Sequence, residues 1–342
     1  MNVEELKTYR CPKCRAGSLE LLAPAKEGTG GNSELGAIRC PGCCANYSIR
    51  NGLPRFVPND QYAESFGFQW NKFRRTQLDS FTGRPLTADR LFKVTQWPKD
   101  MRGVRILEAG SGAGRFTEVL LGTGATLFSF DLSSAVDANM DTNGKAANLN
   151  LFQASIYDIP LPEQHFDKVM CLGVLQHTPD PELSFASLAR HVKPGGELAV
   201  DVYSRRWRSL ISWKYLLRPL TKQIPQQTLF RWIESAVNLL LPVSVFLRKI
   251  GGKLGARLIP IVEYSNLGFP YELNREWAIL DTFDMYSPAH DHPRSIPQVR
   301  RWFEAANFVD VVVEYGPNGV IGRGRRQASP DTAGQDRAGS RP

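Results

Sequence analysis

Two cysteine pairs, Cys11-x-x-Cys14 and Cys40-x-x-Cys43, are spaced so that each tight turn aims two thiolates at one tetrahedral ion. Two such turns complete a four-sulfur site, the donor set of structural Zn2+, and four thiolates leave no open coordination position for catalysis. The Pro and Gly residues inside the pairs favour those turns. Cys44 reads as a bystander beside Cys43, and Cys171, inside an apolar run, as a core residue. A second constellation runs from Val104 to Glu118. An aliphatic run ends at Glu108, glycines follow at Gly110, Gly112 and Gly114, and an amphipathic helical pattern comes next. Glycines there let the backbone approach a ligand and turn sharply, and the helix start presents free N–H groups and a positive dipole end. The following apolar run closes on Asp131, where a ribose-gripping carboxylate stands in a doubly wound nucleotide fold. A dinucleotide fingerprint, G-x-G-x-x-G, needs glycine at position 115, and Arg115 occupies it.

Downstream, in order, come Asn150–Ile156, Asp158–Glu163, Phe166–Asp180 and His191–Val200. This ordered set resembles the class I S-adenosylmethionine-dependent methyltransferases of the small-molecule "type 11" kind, strongly over residues 100–203 and more loosely elsewhere. The resemblance implies S-adenosyl-L-methionine as cofactor and assigns a site residue by residue. Gly110, Gly112 and Gly114 shape the loop beside the methionyl part, and Glu108 orients the ammonium group, directly or through water. Asp131 accepts both ribose hydroxyls, or alternatively caps the helix that Ser133 and Ser134 begin, and Leu132 packs on the adenine. Ser155 stands where the family usually carries Asp for the adenine amino group, and a hydroxyl can accept that bond. Ile156 offers a backbone N–H and an apolar wall, and Leu172 and Gly173 end the fourth strand of the core beside the cofactor.

For the acceptor, Gln176-His177 takes the place of the family's frequent histidine pair. His177 either removes a proton from a hydroxyl nucleophile or caps the helix after Thr178-Pro179. The run 281–293 reads as a proline-bounded substrate loop in which Asp284, Tyr286 and His290 line the pocket and one of them is the general base. A second metal site from His290, Asp291 and His292 is the alternative, although adjacent residues rarely aim at one ion. The catalytic candidates are therefore His177, Tyr286 and His290.

These residues need a scaffold of alternating strands and helices. The pattern predicts an α/β fold: a Rossmann-like, seven-stranded doubly wound sheet with its last strand antiparallel, a small N-terminal zinc ribbon and a helical insertion. The divisions are a zinc ribbon at 1–58, a helical linker or lid at 59–98 and a methyltransferase core at 99–203. A basic amphipathic helical insertion at 204–265, a substrate loop with the C-terminal part of the core at 266–322, and a disordered tail at 323–342 complete the chain. The ribbon is too small to bury much core and needs its metal as a staple. In the linker, Phe66, Phe68, Trp70 and Phe73 form a stripe that is either core or a lid over the cofactor. Helix 296–307, strand 308–315 and a short strand near Val320–Ile321 close the core.

The chain of 342 residues is 42% hydrophobic and carries a formal charge of +8. Between Arg205 and Arg257, Glu234 is the only acidic residue, and Trp207, Trp213, Tyr215 and Trp232 stand beside the cations. That stretch, read as helices cut by Pro219, Pro225, Pro242 and Pro260, suits a phosphorylated ligand, an anionic lipid surface or plain solvent. No signal-peptide pattern opens the sequence, and no apolar run reads as long enough to span a bilayer. The nearest, Ser235–Leu247, contains Asn238 and Pro242. The expected location is cytoplasmic, or peripheral at the inner face of the membrane through 204–260. Three functions follow. One is methyl transfer to a small or lipid-linked acceptor, sugar-like or anionic. Another is RNA methylation, which the ribbon and charge fit but which lacks an N-P-P-Y-type motif where Cys171-Leu-Gly stands. The third is a non-catalytic cofactor-binding interaction module, against which the intact glycines and Asp131 argue.

Overall fold

A computed structural model describes residues 6–22, 34–59, 61–205 and 212–328. Four short strands open the chain: β1 (Glu20–Leu22), β2 (Glu34–Arg39), β3 (Asn46–Arg50) and β4 (Leu53–Arg55). The central strands are β5 (Arg105–Ala109), β6 (Thr126–Asp131), β7 (Leu149–Gln153), β8 (Phe166–Leu172), β9 (Val192–Val202), β10 (Phe308–Gly316) and β11 (Gly319–Arg326). They lie in the order β7-β6-β5-β8-β9-β11-β10. Pairing is parallel from β7 through β9, whereas β11 runs antiparallel to both β9 and β10. This is the expected seven-stranded doubly wound sheet with its antiparallel last strand. The ribbon strands extend it to eleven, because β4 adds parallel to β7 through the pair Arg55 and Gln153.

The inner strands are buried on both faces, which is why their sequences read as near-continuous apolar runs. One face packs Leu107, Phe128, Phe130, Phe152 and Cys171 against Phe185, Trp302 and Phe303. The other packs Ile106, Leu127 and Met170 against Leu91, Val94, Phe116 and Leu120.

The helices are α1 (Glu64–Lys72), α2 (Asp79–Thr82), α3 (Leu86–Thr95), α4 (Arg115–Leu121), α5 (Ala135–Asn143), α6 (Pro181–His191), α7 (Trp213–Thr221), α8 (Gln226–Ala256), α9 (Tyr271–Tyr286) and α10 (Ile296–Ala305). The cap of α6 is Asp180, which accepts from the Glu182 and Leu183 N–H groups ahead of a proline-started first turn. His177 therefore does not serve as that cap.

Helices α1, α8 and α9 share a separate apolar cluster built on Phe73, Phe230, Ile233, Val237, Leu241, Ile279 and Phe283. Here the structure corrects the sequence reading. Pro219 lies inside α7 and Pro242 inside α8, while Pro225 sits at the α8 N-cap. Helix α8 runs through Pro242 to a kink at Gly252, and by length and composition it is long enough and apolar enough to cross a membrane. An interior proline costs about 3 kcal/mol, and burial of Leu229, Phe230, Ile233, Val237 and Leu241 against the rest of the cluster outweighs it. The front of the 281–293 "loop" is the last part of α9. Strand β11 continues to Arg326, paired with both β9 and β10, so residues 323–326, expected in the tail, belong to the sheet. Its Gly322 and Gly324 lie flat under Phe303, where an added Cβ would approach the ring to 2.6 and 2.8 Å. Trp207 and residues 329–342 lie outside the described residues.

Candidate active site

The chain leaves β5 at Ala109 and turns through Gly110, Gly112 and Gly114 with φ of 79°, 53° and 90°. A Cβ on Gly110 would lie 2.3 Å from Val174 Cγ2, and one on Gly114 would lie 2.2 Å from Asn139 Oδ1, so both backbone angle and space demand glycine. Asp131, at the end of β6, ties this loop down. Its Oδ2 accepts from the Gly112 N–H at 2.8 Å, and its Oδ1 accepts from the Ser133 N–H at 2.8 Å and the Ser133 hydroxyl at 2.7 Å. Asp131 thus caps the turn ahead of α5, whose N-cap is Ser134, and also stands in the wall of a cavity.

That cavity, of about 850 Å³, opens along the carboxyl ends of the parallel strands, where doubly wound folds hold their ligands. Gly110, Gly112, Asp131, Leu132, Ile156, Leu172 and Gly173 line it. Three of the expected cofactor residues do not. The carbonyl of Gly114 faces inward and accepts from Asn143 Nδ2 at 3.1 Å. The Ser155 hydroxyl accepts from the Tyr157 N–H at 3.2 Å, and Ala154 and Ile156 on either side of it form the wall. Glu108 lies beneath the loop. Its Oε2 accepts from the Thr117 hydroxyl at 2.6 Å and the Ser129 hydroxyl at 2.7 Å, while Oε1 is buried with no partner. Glu108, expected to orient an ammonium group directly or through water, thus faces Thr117 and Ser129 and is not part of the cavity wall. Burial raises its carboxyl to about 7 despite those two hydroxyls.

The opposite wall comes from α1, α3, α9 and the chain beyond β9. Tyr62, Phe66, Gln69 and Trp70 line it, so the aromatic stripe divides: Phe66 and Trp70 face the cavity, and Phe68 packs on Phe230 and Phe283. Gln69 is fully buried, and both polar atoms of its amide lack a partner among the described residues. On α9 the cavity-facing residues are Trp277, Asp281, Asp284 and Met285, an i, i+4, i+7, i+8 face.

Charges alternate around this end. Arg90 pairs with Asp201 at 2.7 Å, and Asp201 also accepts from the Gly173 N–H. Arg115 donates to Gln77, and burial, with Arg90 beside it, depresses its guanidinium to about 10. Asp281 accepts from the Tyr264 hydroxyl and from Gln77 Nε2 at 3.2 Å, and burial lifts its carboxyl to about 6. Asp284 accepts from the Tyr203 hydroxyl at 3.2 Å.

His177 lines the cavity between Phe66 and Tyr203, with ring centroids at 5.1 and 5.3 Å. Its Nδ1 lies 3.0 Å from the His290 carbonyl oxygen. A carbonyl only accepts, so Nδ1 carries the proton and Nε2 keeps its lone pair. Burial pushes the imidazole pKa down, which keeps the ring neutral at neutral pH.

The other two catalytic candidates are elsewhere. Tyr286 follows Asp284 by two residues and so faces the other way on α9, buried among apolar side chains with its hydroxyl donating to the Pro260 carbonyl at 2.9 Å. The His290 ring stacks on His292 at 5.6 Å and meets Tyr62 at 5.5 Å, outside the cavity wall, and it is the backbone of His290 that reaches His177. Asp291 pairs with Lys214 at 2.8 Å instead of joining a metal site. Among the described residues, only the four cysteines form a metal-ligating group. Sequence reasoning missed Gln69, Arg115 as a cavity residue, Tyr203, Tyr264 and Asp281. The i, i+4, i+7 spacing of Trp277, Asp281 and Asp284 was the signal available for the last.

The Sγ atoms of Cys11, Cys14, Cys40 and Cys43 all lie within 4.8 Å of one another. Cys11 to Cys43 is 3.6 Å and Cys14 to Cys40 is 3.5 Å. A tetrahedral zinc thiolate with 2.3 Å bonds separates its sulfurs by about 3.8 Å, so the set fits Zn2+. Both knuckles close alike: the Arg15 N–H donates to Cys11 O and the Cys44 N–H to Cys40 O, each at 2.8 Å, with φ of 64° and 56°. Cys44 is thus an exposed knuckle residue outside the ligand set. Arg15 Nη1 donates to Ile159 O at 2.8 Å, and the Arg10 N–H to Pro160 O at 2.9 Å. The ribbon therefore grips the loop that carries Ile156.

Sheet order and glycine loop agree with the fold of the class I S-adenosylmethionine-dependent methyltransferases that the sequence resembles. Residues 107–200 match the family described as "Methyltransferase domain". A ubiquinone biosynthesis O-methyltransferase of Thiobacillus denitrificans is 32% identical over 130 residues, covering 36% of this chain and 56% of that protein. Its namesake from Coxiella burnetii is 27% identical over 157 residues, 42% of this chain and 67% of that protein. The chain thus spans little more than half the length of the first of these relatives. Among solved structures, human N-acetylserotonin methyltransferase in complex with S-adenosylmethionine is 15% identical with a TM-score of 0.41, over 78% of this chain and 57% of that one.

Proposed function

We propose that the protein transfers a methyl group from S-adenosylmethionine to a hydroxyl of a small, lipid-soluble acceptor, with His177 as general base. The observation that carries this reading is the fixed tautomer of His177 in the cavity that the glycine loop and Asp131 also line. When bound, S-adenosylmethionine supplies a methyl group already activated by its sulfonium, so the protein's task is chiefly to position and to manage a proton. Asp131 would hold the ribose, and Leu132 and Ile156 would hold the adenine. The buried amide of Gln69, without a protein partner, offers a donor and an acceptor to the bound molecules. On the acceptor side, His177 Nε2 takes the hydroxyl proton while the His290 carbonyl holds Nδ1–H and keeps the ring oriented. The names of the relatives, O-methyltransferases of ubiquinone biosynthesis, point to the same kind of acceptor.

The test incubates cell extract with methyl-labelled S-adenosylmethionine and separates organic-soluble, small polar and RNA fractions. Label in an organic-soluble product, lost with His177→Gln while calorimetric binding of S-adenosylmethionine persists, supports the proposal. Label confined to RNA, or undiminished in His177→Gln, overturns it.

A further inference from the structure

Helix α8 carries two apolar faces. One, through Leu229, Phe230, Ile233, Val237 and Leu241, is buried in the cluster it shares with α9. The other is Trp232, Leu239, Val243, Phe246 and Ile250, spaced i, i+7, i+11, i+14, i+18 and therefore in one straight row about 27 Å long. These side chains are uncovered: Leu239 is 75%, Phe246 60% and Ile250 69% exposed. Leu216 and Leu220 on α7, and Leu254 and Leu258 past the Gly252 kink, are exposed as well. Trp213 Nε1 donates to the Arg257 carbonyl at 3.2 Å and ties the start of α7 to the end of α8. So long an uncovered apolar row on a folded chain marks a surface that meets something.

We infer that this row lies flat on an anionic lipid surface. Charge selects that occupant. Arg231, Lys249, Lys253 and Arg257 are exposed along the helix, and none has an acidic partner among the described residues. Glu234 is the only acidic residue from Arg205 to Arg257, and it lies 3.9 Å from Arg275. A second copy of this face would set cations against cations, whereas acidic headgroups neutralise them while the row enters the acyl boundary. The buried face explains why α8 lies on the bilayer instead of crossing it: leaving the protein would strip Phe230, Ile233 and Val237 from the cluster next to the cavity. Helix α9 packs on α8 with one face and lines the cavity with another. The docked surface thus stands one helix from the acceptor site, so that acceptor can be drawn from the bilayer. This last step rests on the methyl-transfer reading, and the docking does not.

Flotation of the full chain with phosphatidylcholine vesicles, with and without about a third phosphatidylglycerol, tests it directly. Binding to the anionic vesicles that weakens with added salt is expected. Phe246→Glu with Ile250→Glu should cut it by at least about tenfold, as should Lys249→Glu with Lys253→Glu, with melting temperature and S-adenosylmethionine affinity unchanged. Equal binding to both vesicles, none to either, retention by the doubly substituted chains, or a salt-stable dimer whose formation Phe246→Glu abolishes would each overturn the inference. Vesicle binding without methyl transfer would uphold the docking and refute only the proposed chemistry.

Discussion

Asp131→Asn separates a ligand contact from a turn cap. The carboxylate serves three protein donors: Gly112 N–H on Oδ2, and the Ser133 N–H and hydroxyl on Oδ1. An amide of the same size keeps one acceptor and replaces the other by an NH2. Whichever way it turns, one backbone N–H then faces a donor, while the Ser133 hydroxyl can rotate to accept. An orphaned donor costs about 1–3 kcal/mol, so the unliganded protein should lose that much in urea unfolding. For the cofactor, one charge-assisted bond to a ribose hydroxyl disappears, worth about 1.5–3 kcal/mol, which weakens S-adenosylmethionine roughly 10- to 150-fold in calorimetry. The two readouts must move together. Stability lost with affinity unchanged to within about twofold would make Asp131 a turn cap alone and would misplace the ribose.

Three further outcomes follow. His177→Gln should lower kcat by about 10²- to 10³-fold with cofactor affinity intact; because burial depresses the His177 pKa, the rate should stay flat above the ordinary histidine range and fall only on acidification, and a rate still climbing above neutrality would refute the assignment. Glu108, raised from 4.5 to about 7 by burial, favours folding below its unfolded pKa and loses that contribution as pH rises through 7; Glu108→Gln should therefore gain stability relative to the parent above neutral pH, by on the order of 3 kcal/mol, with no gain near pH 4, and equal pH–stability curves would contradict it. Metal analysis should find one zinc per chain, lost in Cys14→Ser, and chelation should weaken S-adenosylmethionine binding because Arg10 and Arg15 hold the loop carrying Ile156; undiminished affinity after complete removal would uncouple ribbon and site.

What was legible in the chain is what local spacing encodes. The glycine loop, Asp131 and the cysteine knuckles are each set by a few consecutive residues: Gly110, Gly112 and Asp131 lie in the cavity wall, Gly114 turns away from it, and the four cysteines come together. The acceptor side was harder because it is assembled from α1, α9 and the chain after β9, far apart in sequence. Counting histidines and prolines made 281–293 look like one loop, yet helical phase decides its chemistry. Asp281 and Asp284 share a face, Tyr286 turns into the core, and His290 contributes a carbonyl. The prolines misled for a related reason: Pro242 breaks a helix only where packing does not hold it, and α8 is held on both sides of Pro242 by buried Leu241 and Ser244.

The place where the ribbon joins the sheet has a consequence for solubility. Without β4, the outermost strand would be β7, whose last three residues are buried and whose free backbone could template pairing with another chain. The ribbon moves the border out to β1, three exposed residues too short to seed such pairing. At the opposite border, a bulge between Val309 and Val312, with Asp310 at a φ of 53°, interrupts β10 in the same protective sense. A metal site that looks peripheral to the chemistry thus also guards a sheet edge, and loss of the ion should appear as aggregation as well as weakened ligand binding.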